Sequence, residues 1–247
     1  MIHELALVPR LLVASDFDGT LAEIVEDPDL AVPLARSKAA LEALAGLEDT
    51  TVAVISGRRR SDLVQRFDHP DFVLIGEHGA DYGSPPGPET PALAQARRLI
   101  DAAVGATPGA RVEHKARAVG FHYRTVTDPW DMVESLRRRA KDIEGIKIVE
   151  GKAILELTDS PVDKGAALAE LRRSLAVDRA LFMGDDVTDE TAFAVLEPGD
   201  VGIHVGVGPT MADATVPNPS ALADLLETLY AARAAGGGDL DRGSPLT

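Results

Sequence analysis

The sequence predicts an α/β protein in which a smaller α/β domain is inserted into a larger one built on a parallel sheet. Short runs that are apolar throughout alternate with segments of helical spacing, as in parallel sheets covered by helices on both faces. The middle of the chain instead alternates apolar and polar residues, as in half-exposed antiparallel strands. The length of 247 residues suits one main domain with a smaller insertion.

Apolar runs predict the strands of the larger domain, and leucine spacing predicts two of its helices. Leucines recur at helical spacing in 36–47 and again in 166–175, which predicts a helix over each segment. Because strand and helix alternate, a parallel sheet is the natural arrangement. The strands are predicted at 11–15, 52–55, 72–75, 179–183 and 201–205.

The middle of the chain predicts a separate small α/β domain, which we call the cap. A helix is predicted over 131–143, and strands are predicted over 146–148 and 153–157. Another strand is indicated by the alternation of Val119, Phe121 and Tyr123 with Gly120, His122 and Arg124. We therefore assign 1–81 and 159–233 to the core domain, 82–158 to the cap, and the glycine-rich 234–247 to a disordered tail.

The composition excludes several classes of protein. Hydrophobic residues make up 45% of the chain, which is enough to fill a core. The absence of cysteine excludes disulfides, thiolate metal sites and cysteine nucleophiles, and it fits a reducing compartment. The formal net charge of −15 predicts repulsion from nucleic acid phosphates and anionic membranes, so we expect neither as a partner.

The chain shows no sequence signal for export or for insertion into a membrane. Its first residues, MIHELALVPR, do not have a basic end followed by a long apolar stretch. No apolar run approaches the roughly 18–20 residues that span a bilayer. We therefore expect a cytoplasmic protein.

Two aspartates follow the first predicted strand, in the segment from Asp16 to Thr20 that contains Asp18. Ligands of open α/β sheets bind beyond the carboxyl ends of the strands, where this segment lies. One carboxylate there could attack a phosphorus atom, and another could protonate the leaving oxygen and later activate water. Oxygen ligands of this kind also suit Mg²⁺. Taken alone, the segment could instead be a solvated acidic turn.

A second acidic segment, from Gly184 to Glu190, follows another apolar strand. Four acids within six positions repel one another unless a cation lies among them. An exposed loop could also contain them. Because a parallel sheet could bring this segment beside Asp16, the two acidic strand ends together favour a site over two solvated turns.

Positive groups must offset these acids if the site is to bind a phosphate. Mg²⁺ bridging the phosphate and the carboxylates could do so. Lys164 lies at a predicted helix start and would add its charge to a helix end that already favours anions. Ser56 and Gly57 offer a hydroxyl and a backbone N–H at another strand end. The alternatives are an exposed lysine and a turn serine.

These segments, in this order, resemble the four motifs of haloacid dehalogenase-like (HAD) phosphatases. The motifs are Asp16-x-Asp18-Gly-Thr, Ser56-Gly57-Arg58, Lys164-Gly165 and the segment from Gly184 to Glu190. The resemblance implies a HAD-like Rossmannoid core with a parallel sheet and an inserted α/β cap. A closer resemblance, over roughly 11–220, is to the trehalose 6-phosphate phosphatase family. It rests also on Asp27-Pro28, Gly76-Glu77-His78-Gly79, Val112-Glu113-His114-Lys115 and His122-Tyr123-Arg124.

The resemblance implies hydrolysis through an aspartyl-phosphate. Asp16 would be the nucleophile, and Asp18 would be the general acid and then the general base. Ser56, Gly57 and Lys164 would bind the transferring phosphoryl group.

The resemblance also implies Mg²⁺ as the cofactor. The Asp16 side chain, the Asp18 backbone carbonyl and Asp185 would bind the ion directly. Asp186 and Asp189 would surround it as supporting residues, with Asp189 acting through water or through Lys164.

Contacts with the sugar are implied for residues beyond the phosphate site. Because side chains alternate along a strand, His122 and Arg124 share a face that Tyr123 does not, which makes them the favoured pair. For Glu113, Lys115 and Arg124 an ordinary exposed charge is the alternative. The candidates are Arg58, Glu77, His78, Glu113, Lys115, His122, Arg124 and Glu150.

The main hypothesis is hydrolysis of a sugar phosphate, trehalose 6-phosphate, to trehalose and phosphate. A phosphatase for sucrose 6-phosphate, or for glucosyl- or mannosyl-phosphoglycerate, would use the same catalytic residues with different cap contacts. A sugar phosphomutase would share the nucleophile. A non-catalytic protein that binds a sugar phosphate and regulates a partner is another alternative. The complete acidic set argues against it, because binding alone does not need so many like charges together.

Overall fold

The structure of the chain is a computed structural model that describes residues 1–83, 87–151 and 153–240. The strands are β1 (Leu11–Ser15), β2 (Thr50–Ile55), β3 (Phe72–Ile75), β4 (Arg111–His114), β5 (Ala118–His122), β6 (Lys147–Gly151), β7 (Ile154–Thr158), β8 (Arg179–Gly184), β9 (Val201–Val205) and β10 (Ala214–Val216). The helices are α1 (Ile2–Ala6), α2 (Ala35–Ala45), α3 (Arg60–Phe67), α4 (Pro91–Ala106), α5 (Trp130–Ala140), α6 (Lys164–Leu175), α7 (Glu190–Phe193) and α8 (Pro219–Leu240).

The larger sheet is parallel, with the strand order β10-β9-β8-β1-β2-β3. β1 lies inside this sheet and is buried along its whole length. Leu11 and Val13 pack into the apolar cluster on one face, whereas Leu12 and Ala14 pack into the cluster on the other. A strand covered on both faces needs apolar residues at every position, which is why a continuous apolar run predicted it. The predicted α/β class with a parallel sheet is confirmed.

Helices cover both faces of the larger sheet. α2, α3 and α8 contribute Leu41, Leu63 and Leu226 to one apolar cluster, and α6 and α7 contribute Leu168 and Phe193 to the other. Burying one such side chain stabilises the fold by about 1.5–3 kcal/mol. The two helices predicted from leucine spacing, 36–47 and 166–175, correspond to α2 and α6 with ends that differ by one or two residues. The sequence did not predict α1, α3, α8 or β10.

The smaller sheet is antiparallel, with the strand order β4-β5-β7-β6. α4 and α5 pack on one of its faces, where Phe121 and Leu155 join Ile100 and Leu136 in a third apolar cluster. The alternation between 119 and 124 predicted β5 as a half-exposed strand, but four of its five residues are buried and it ends at His122. The predicted helix over 131–143 corresponds to α5. α4 and β4 were not predicted. All strands of the smaller sheet lie between 111 and 158, and the cap boundaries at 82 and 158 stay a prediction.

α8 corrects part of the prediction for the end of the chain. Disorder was predicted from 234, yet the helix continues to Leu240. Leu222, Leu226 and Leu229 are fully buried and hold the preceding part of the helix against the core. Residues 241–247 lie outside the described residues. Among the helices that the structure describes, α8 included, none is long and apolar enough to cross a membrane.

One buried cation ties α8 to the core. Arg233 is 7% exposed. Its guanidinium donates hydrogen bonds to the Thr50 hydroxyl at 2.7 Å and to the carbonyl oxygens of Val8 at 2.6 Å and Pro9 at 2.8 Å. Arg233 therefore connects the last helix to the segment before β1 and to the start of β2.

Replacing Arg233 with methionine should lower the free energy of unfolding by about 1–3 kcal/mol, because buried carbonyl oxygens would lose their donor. Methionine keeps much of the apolar stem, so the loss reports on the hydrogen bonds. Urea unfolding followed by circular dichroism would measure it. Arg173→Met is the matched control, since that side chain is 75% exposed and pairs with Glu170 on its own helix. Equal unfolding midpoints for the two variants would contradict the prediction.

Candidate active site

The carboxyl ends of three neighbouring parallel strands form the floor of the site. Asp16 directly follows β1, Ser56 follows β2 and Asp185 follows β8. β1 pairs with both other strands in parallel, so these side chains lie at the same edge of the sheet. All three are buried. The structure thus brings the two acidic segments together.

Lys164 lies among these acids and is 1% exposed. Its Nζ is 2.9 Å from Asp16 Oδ1 and 2.8 Å from Asp189 Oδ1. Burial alone would lower the pKa of Lys164, but the charges of Asp16 and Asp189 outweigh it and raise that pKa above the ordinary value. The lysine is therefore a buried cation with two carboxylate partners, and the alternative of an exposed lysine does not apply.

Three buried carboxylates are close enough to share a cation. Oxygen atoms of Asp16, Asp185 and Asp189 lie within 4.8 Å of one another. Burial, together with the charges of Asp189 and Asp185, raises the pKa of Asp16 well above its ordinary value, although Lys164 opposes the shift. One lysine cannot balance three carboxylates. The cluster therefore favours binding of a further cation, and its donors are of the oxygen type that Mg²⁺ and Ca²⁺ prefer.

Asp189 supports the other acids. Its Oδ2 accepts hydrogen bonds from the backbone N–H groups of Asp185 and Asp186, each at 3.0 Å, and its Oδ1 accepts from Lys164. The side chain is fully buried. Asp185 and Asp186, in contrast, line the cleft described below. Asp189 thus fixes the loop after β8 and orients Lys164.

Gly19 allows the two acidic segments to meet. Its φ of +80° lies in the left-handed region. A Cβ atom at this position would lie 2.0 Å from Asp185 Oδ2. Glycine is therefore required both by its backbone conformation and by the close approach of the Asp185 carboxylate.

Asp18 is held by a forked ion pair with Arg58. Arg58 Nε and Nη2 donate to the two Asp18 carboxylate oxygens, each at 2.7 Å. The same guanidinium donates to Asp62 at 2.8 Å and to the Pro28 carbonyl at 2.6 Å, and it lies over the Phe17 ring. Arg58 was predicted to contact the sugar. It does line the cleft, but the structure shows its charge engaged with two carboxylates.

The cap turns a polar sheet face towards these residues. Glu113 and Lys115 from the β4 side, His122 at the end of β5 and Arg124 just after it all line one cleft with Asp16 and Asp18. His122 Nε2 is 2.9 Å from Glu113 Oε2. Burial opposes the shift, but the hydrogen bond with His122 and the charge of Lys115 lower the pKa of Glu113 to about 2. Both His122 and Arg124 line the cleft, but β5 ends at His122, so the predicted alternation does not extend to Arg124.

The cleft between the two sheets has a volume of about 650 Å³. This lies within the range of roughly 300–1,000 Å³ that is typical of small-molecule sites. Ser56, Gly57, Lys164 and Asp185 line it on the core side. His78 also lines it, and its ring covers Gly57, where a Cβ atom would lie 2.6 Å from the imidazole. Burial and the nearby charges of Lys115 and Lys164 hold the pKa of His78 well below its ordinary value.

Comparison with protein-family models decides the family. The model described as Trehalose-phosphatase matches residues 14–224, which includes both acidic segments and the whole cap. The chain belongs to the trehalose-phosphatase family. This agrees with the resemblance noted from the motifs.

Individual relatives support the family assignment. The trehalose-phosphate phosphatase of Mycobacterium marinum is 37% identical over 214 residues, which cover 80% of this chain and 54% of the relative. The trehalose-phosphate phosphatase of Mycobacterium tuberculosis is 35% identical over 206 residues, covering 77% and 52%. The chain spans about half the length of the curated relatives it matches.

A solved structure shares the fold. The C-terminal domain of C. albicans trehalose-6-phosphate phosphatase superposes with a TM-score of 0.83, covering 93% of this chain and 95% of that one. The two are 24% identical, so the likeness concerns the fold. The two chains therefore share their fold over nearly their whole lengths.

Two residues that were predicted to contact the sugar, Glu150 and Glu77, do not line the cleft. The Glu150 side chain pairs with Arg137 on α5 at 2.6 Å, because Val149 and Gly151 occupy the positions of β6 that line the cleft. The Glu77 carboxylate accepts hydrogen bonds from backbone N–H groups of the turn after β4. The structure therefore corrects both placements.

Glu156 lines the cleft and was not among the predicted site residues. It is 3% exposed, forms an ion pair with Lys115, and lies 3.8 Å from His78 Nε2. Its strand is otherwise apolar around it, with Leu155 and Leu157 in the cap core. A single carboxylate inside an apolar strand is the signal that could have found it, since buried charges are almost always paired.

Proposed function

We propose that this chain is a Mg²⁺-dependent phosphatase that hydrolyses trehalose 6-phosphate to trehalose and phosphate. The proposal rests on one observation: the buried set of Asp16, Lys164 and Asp185 faces the polar side of the cap sheet across a single cleft. Such a cleft offers acids and a cation for the phosphate at one end and hydrogen-bonding groups for a sugar at the other. The family and the names of the relatives support the choice of substrate.

In the first half of the reaction, a carboxylate oxygen of Asp16 attacks the phosphorus atom. The bond between phosphorus and the sugar oxygen breaks, and Asp18 gives its proton to that oxygen. Lys164 balances charge on the phosphoryl oxygens, to which the Ser56 hydroxyl and the Gly57 N–H donate hydrogen bonds. The products are the free sugar and a phosphoryl group on Asp16. Positioning and electrostatics account for most of the rate in reactions of this type.

In the second half, the Asp18 carboxylate takes a proton from a water molecule whose oxygen attacks the same phosphorus atom. The bond between phosphorus and Asp16 breaks, and inorganic phosphate leaves. Asp16 is again a carboxylate and Asp18 is again protonated, so the chain returns to its starting state.

The residues present fit Mg²⁺ as the cofactor. Asp16, Asp185 and the backbone carbonyl of Asp18 would bind it, and Asp186 and Asp189 would support them. The fit is argued from the three clustered carboxylates, which exceed the charge of Lys164, and from their oxygen donors. When bound, Mg²⁺ would supply positive charge that offsets the phosphoryl group and the carboxylates.

The cap residues are proposed to contact the sugar. Glu113 and Glu156 can accept hydrogen bonds from hydroxyl groups, and Lys115 can donate them. A ligand that binds here must replace the hydrogen bonds of these buried ion pairs with hydrogen bonds of its own. A ligand rich in hydroxyl groups, as a disaccharide is, could do so. The remaining candidates that line the cleft are His122 and Arg124 on the cap and His78 on the core domain.

Phosphate release from a substrate panel tests the proposal. The panel contains trehalose 6-phosphate, sucrose 6-phosphate and glucosyl-phosphoglycerate, each with Mg²⁺ and with EDTA. We expect the highest kcat/KM with trehalose 6-phosphate and loss of activity in EDTA. Preference for another glycosyl phosphate would overturn the assignment of the sugar. No release from any substrate by a folded chain would favour a non-catalytic sugar-phosphate-binding protein.

A further inference from the structure

The two residues after Gly76, Glu77 and His78, contact the loop that offers Ser56. The backbone N–H of Glu77 donates to the Arg58 carbonyl at 2.8 Å, and that of His78 donates to the Ser56 carbonyl at 2.9 Å. Gly76 packs directly on the same loop, since a Cβ atom there would lie 2.7 Å from the Arg58 carbonyl oxygen. We call Glu77–His78 the bridge segment. On the core side it is fixed to the loop proposed to bind phosphate.

On the other side, the bridge segment contacts the cap. Glu77 Oε1 accepts a hydrogen bond from the Ala116 N–H at 2.7 Å, and Oε2 accepts from the Arg117 N–H at 3.0 Å. Ala116 and Arg117 form the turn between β4 and β5, which the hydrogen bond from Lys115 N–H to the Ala118 carbonyl closes. Glu77 is 6% exposed. One buried carboxylate thus binds both amides of the turn that follows Lys115.

The backbone of the bridge segment is strained. Glu77 has a φ of 49° and His78 a φ of 56°, so two consecutive residues with side chains lie in the left-handed region. Such conformations persist only where the surroundings determine them, and they concentrate at functional sites. Glycine would relieve the strain at 77 but would remove the carboxylate that binds the turn.

We propose that Glu77 is a positioning residue that sets the distance between the phosphate loop and the sugar-facing strand β4. It acts through Glu113 on β4 and Lys115 just after β4, which both line the cleft and directly precede the turn. The inference rests on the proposed function and deepens it. A substrate that spans both halves of the cleft, such as a disaccharide phosphate, depends on this distance. A phosphate ester confined to the core side does not.

Enzyme kinetics with two substrates test this role. Glu77→Gln replaces one acceptor oxygen with an amide that cannot accept from the turn. We expect it to lower kcat/KM for trehalose 6-phosphate by about tenfold or more, since small misplacements cost up to about 10²-fold. For 4-nitrophenyl phosphate the loss should be less than about threefold, because that ester makes no use of Lys115. Glu170→Gln, a change at an exposed residue of α6, is the matched control and should alter neither value.

A second readout does not depend on activity. Amide hydrogen exchange at residues 115–118 should be faster in Glu77→Gln than in the unsubstituted chain, while exchange in β1 stays the same. If Glu77→Gln does not fold, Glu77→Asp replaces it, because aspartate is one methylene too short to bind both amides.

The outcomes separate the inference from the proposed function. Equal losses with both substrates, or unchanged exchange at 115–118, would overturn the positioning role. If the unsubstituted chain hydrolyses no glycosyl phosphate, the proposed function fails, and the exchange experiment alone decides whether Glu77 holds the turn. Faster exchange confined to the turn, with a selective loss on the sugar phosphate, supports the inference.

Discussion

Replacing Asp16 with asparagine should abolish turnover while leaving the fold intact. An amide oxygen does not attack phosphorus as a carboxylate does, so the loss in kcat should be at least about 10³-fold. Asparagine has nearly the same shape and fills the same buried position. Lys164 keeps its ion pair with Asp189 at 2.8 Å, so it does not become an unpaired buried charge.

Initial rates of phosphate release and a thermal melt would measure both parts of this prediction. The matched control is Asp71→Asn, the same chemical change at an exposed position outside the cleft. The control should keep full activity, and the melting temperature of Asp16→Asn should not fall below that of the control. Activity within about tenfold of the unsubstituted chain would exclude Asp16 as the nucleophile.

The core half of the site was predictable because its signals lie close together in the sequence. Asp16 and Asp185 each follow a visible apolar strand, and parallel neighbours end at the same edge of a sheet. The burial of Lys164 was not predictable, because its partners Asp16 and Asp189 lie far from it in sequence. Nothing around 164 distinguishes a buried lysine from an exposed one at a helix start.

The cap half was predictable only in part. Alternation predicted that His122 and Arg124 share a face, but it did not predict that the strand ends at His122 or which face meets the core. For Glu150 the register of β6 decides, since the next residue, Gly151, lines the cleft while Glu150 pairs with Arg137. Glu77 was placed wrongly because its left-handed backbone redirects the side chain to the β4–β5 turn. Tertiary packing sets that conformation, and composition does not reveal it.

Replacing Asp18 with asparagine should also be severe. The leaving oxygen of a sugar is a poor leaving group without a proton, and a positioned general acid is typically worth ~10²–10⁴-fold. Asp18 lines the cleft, where both of its carboxylate oxygens accept hydrogen bonds from Arg58, so one of these bonds must open before Asp18 can give a proton. The loss should be smaller with 4-nitrophenyl phosphate, because nitrophenolate leaves readily without a proton.

Because Arg58 also pairs with a second carboxylate, a control can remove that other partner and leave Asp18 in place. Asp62 accepts a hydrogen bond from the same guanidinium at 2.8 Å, and it is not placed to give a proton to the leaving oxygen in the proposed mechanism. Asp62→Asn should therefore cost far less than Asp18→Asn with trehalose 6-phosphate, and equally little with both substrates. Similar losses for the two variants would mean that the ion-pair network, and not proton transfer, explains the effect. A loss below about tenfold for Asp18→Asn would place the general acid elsewhere.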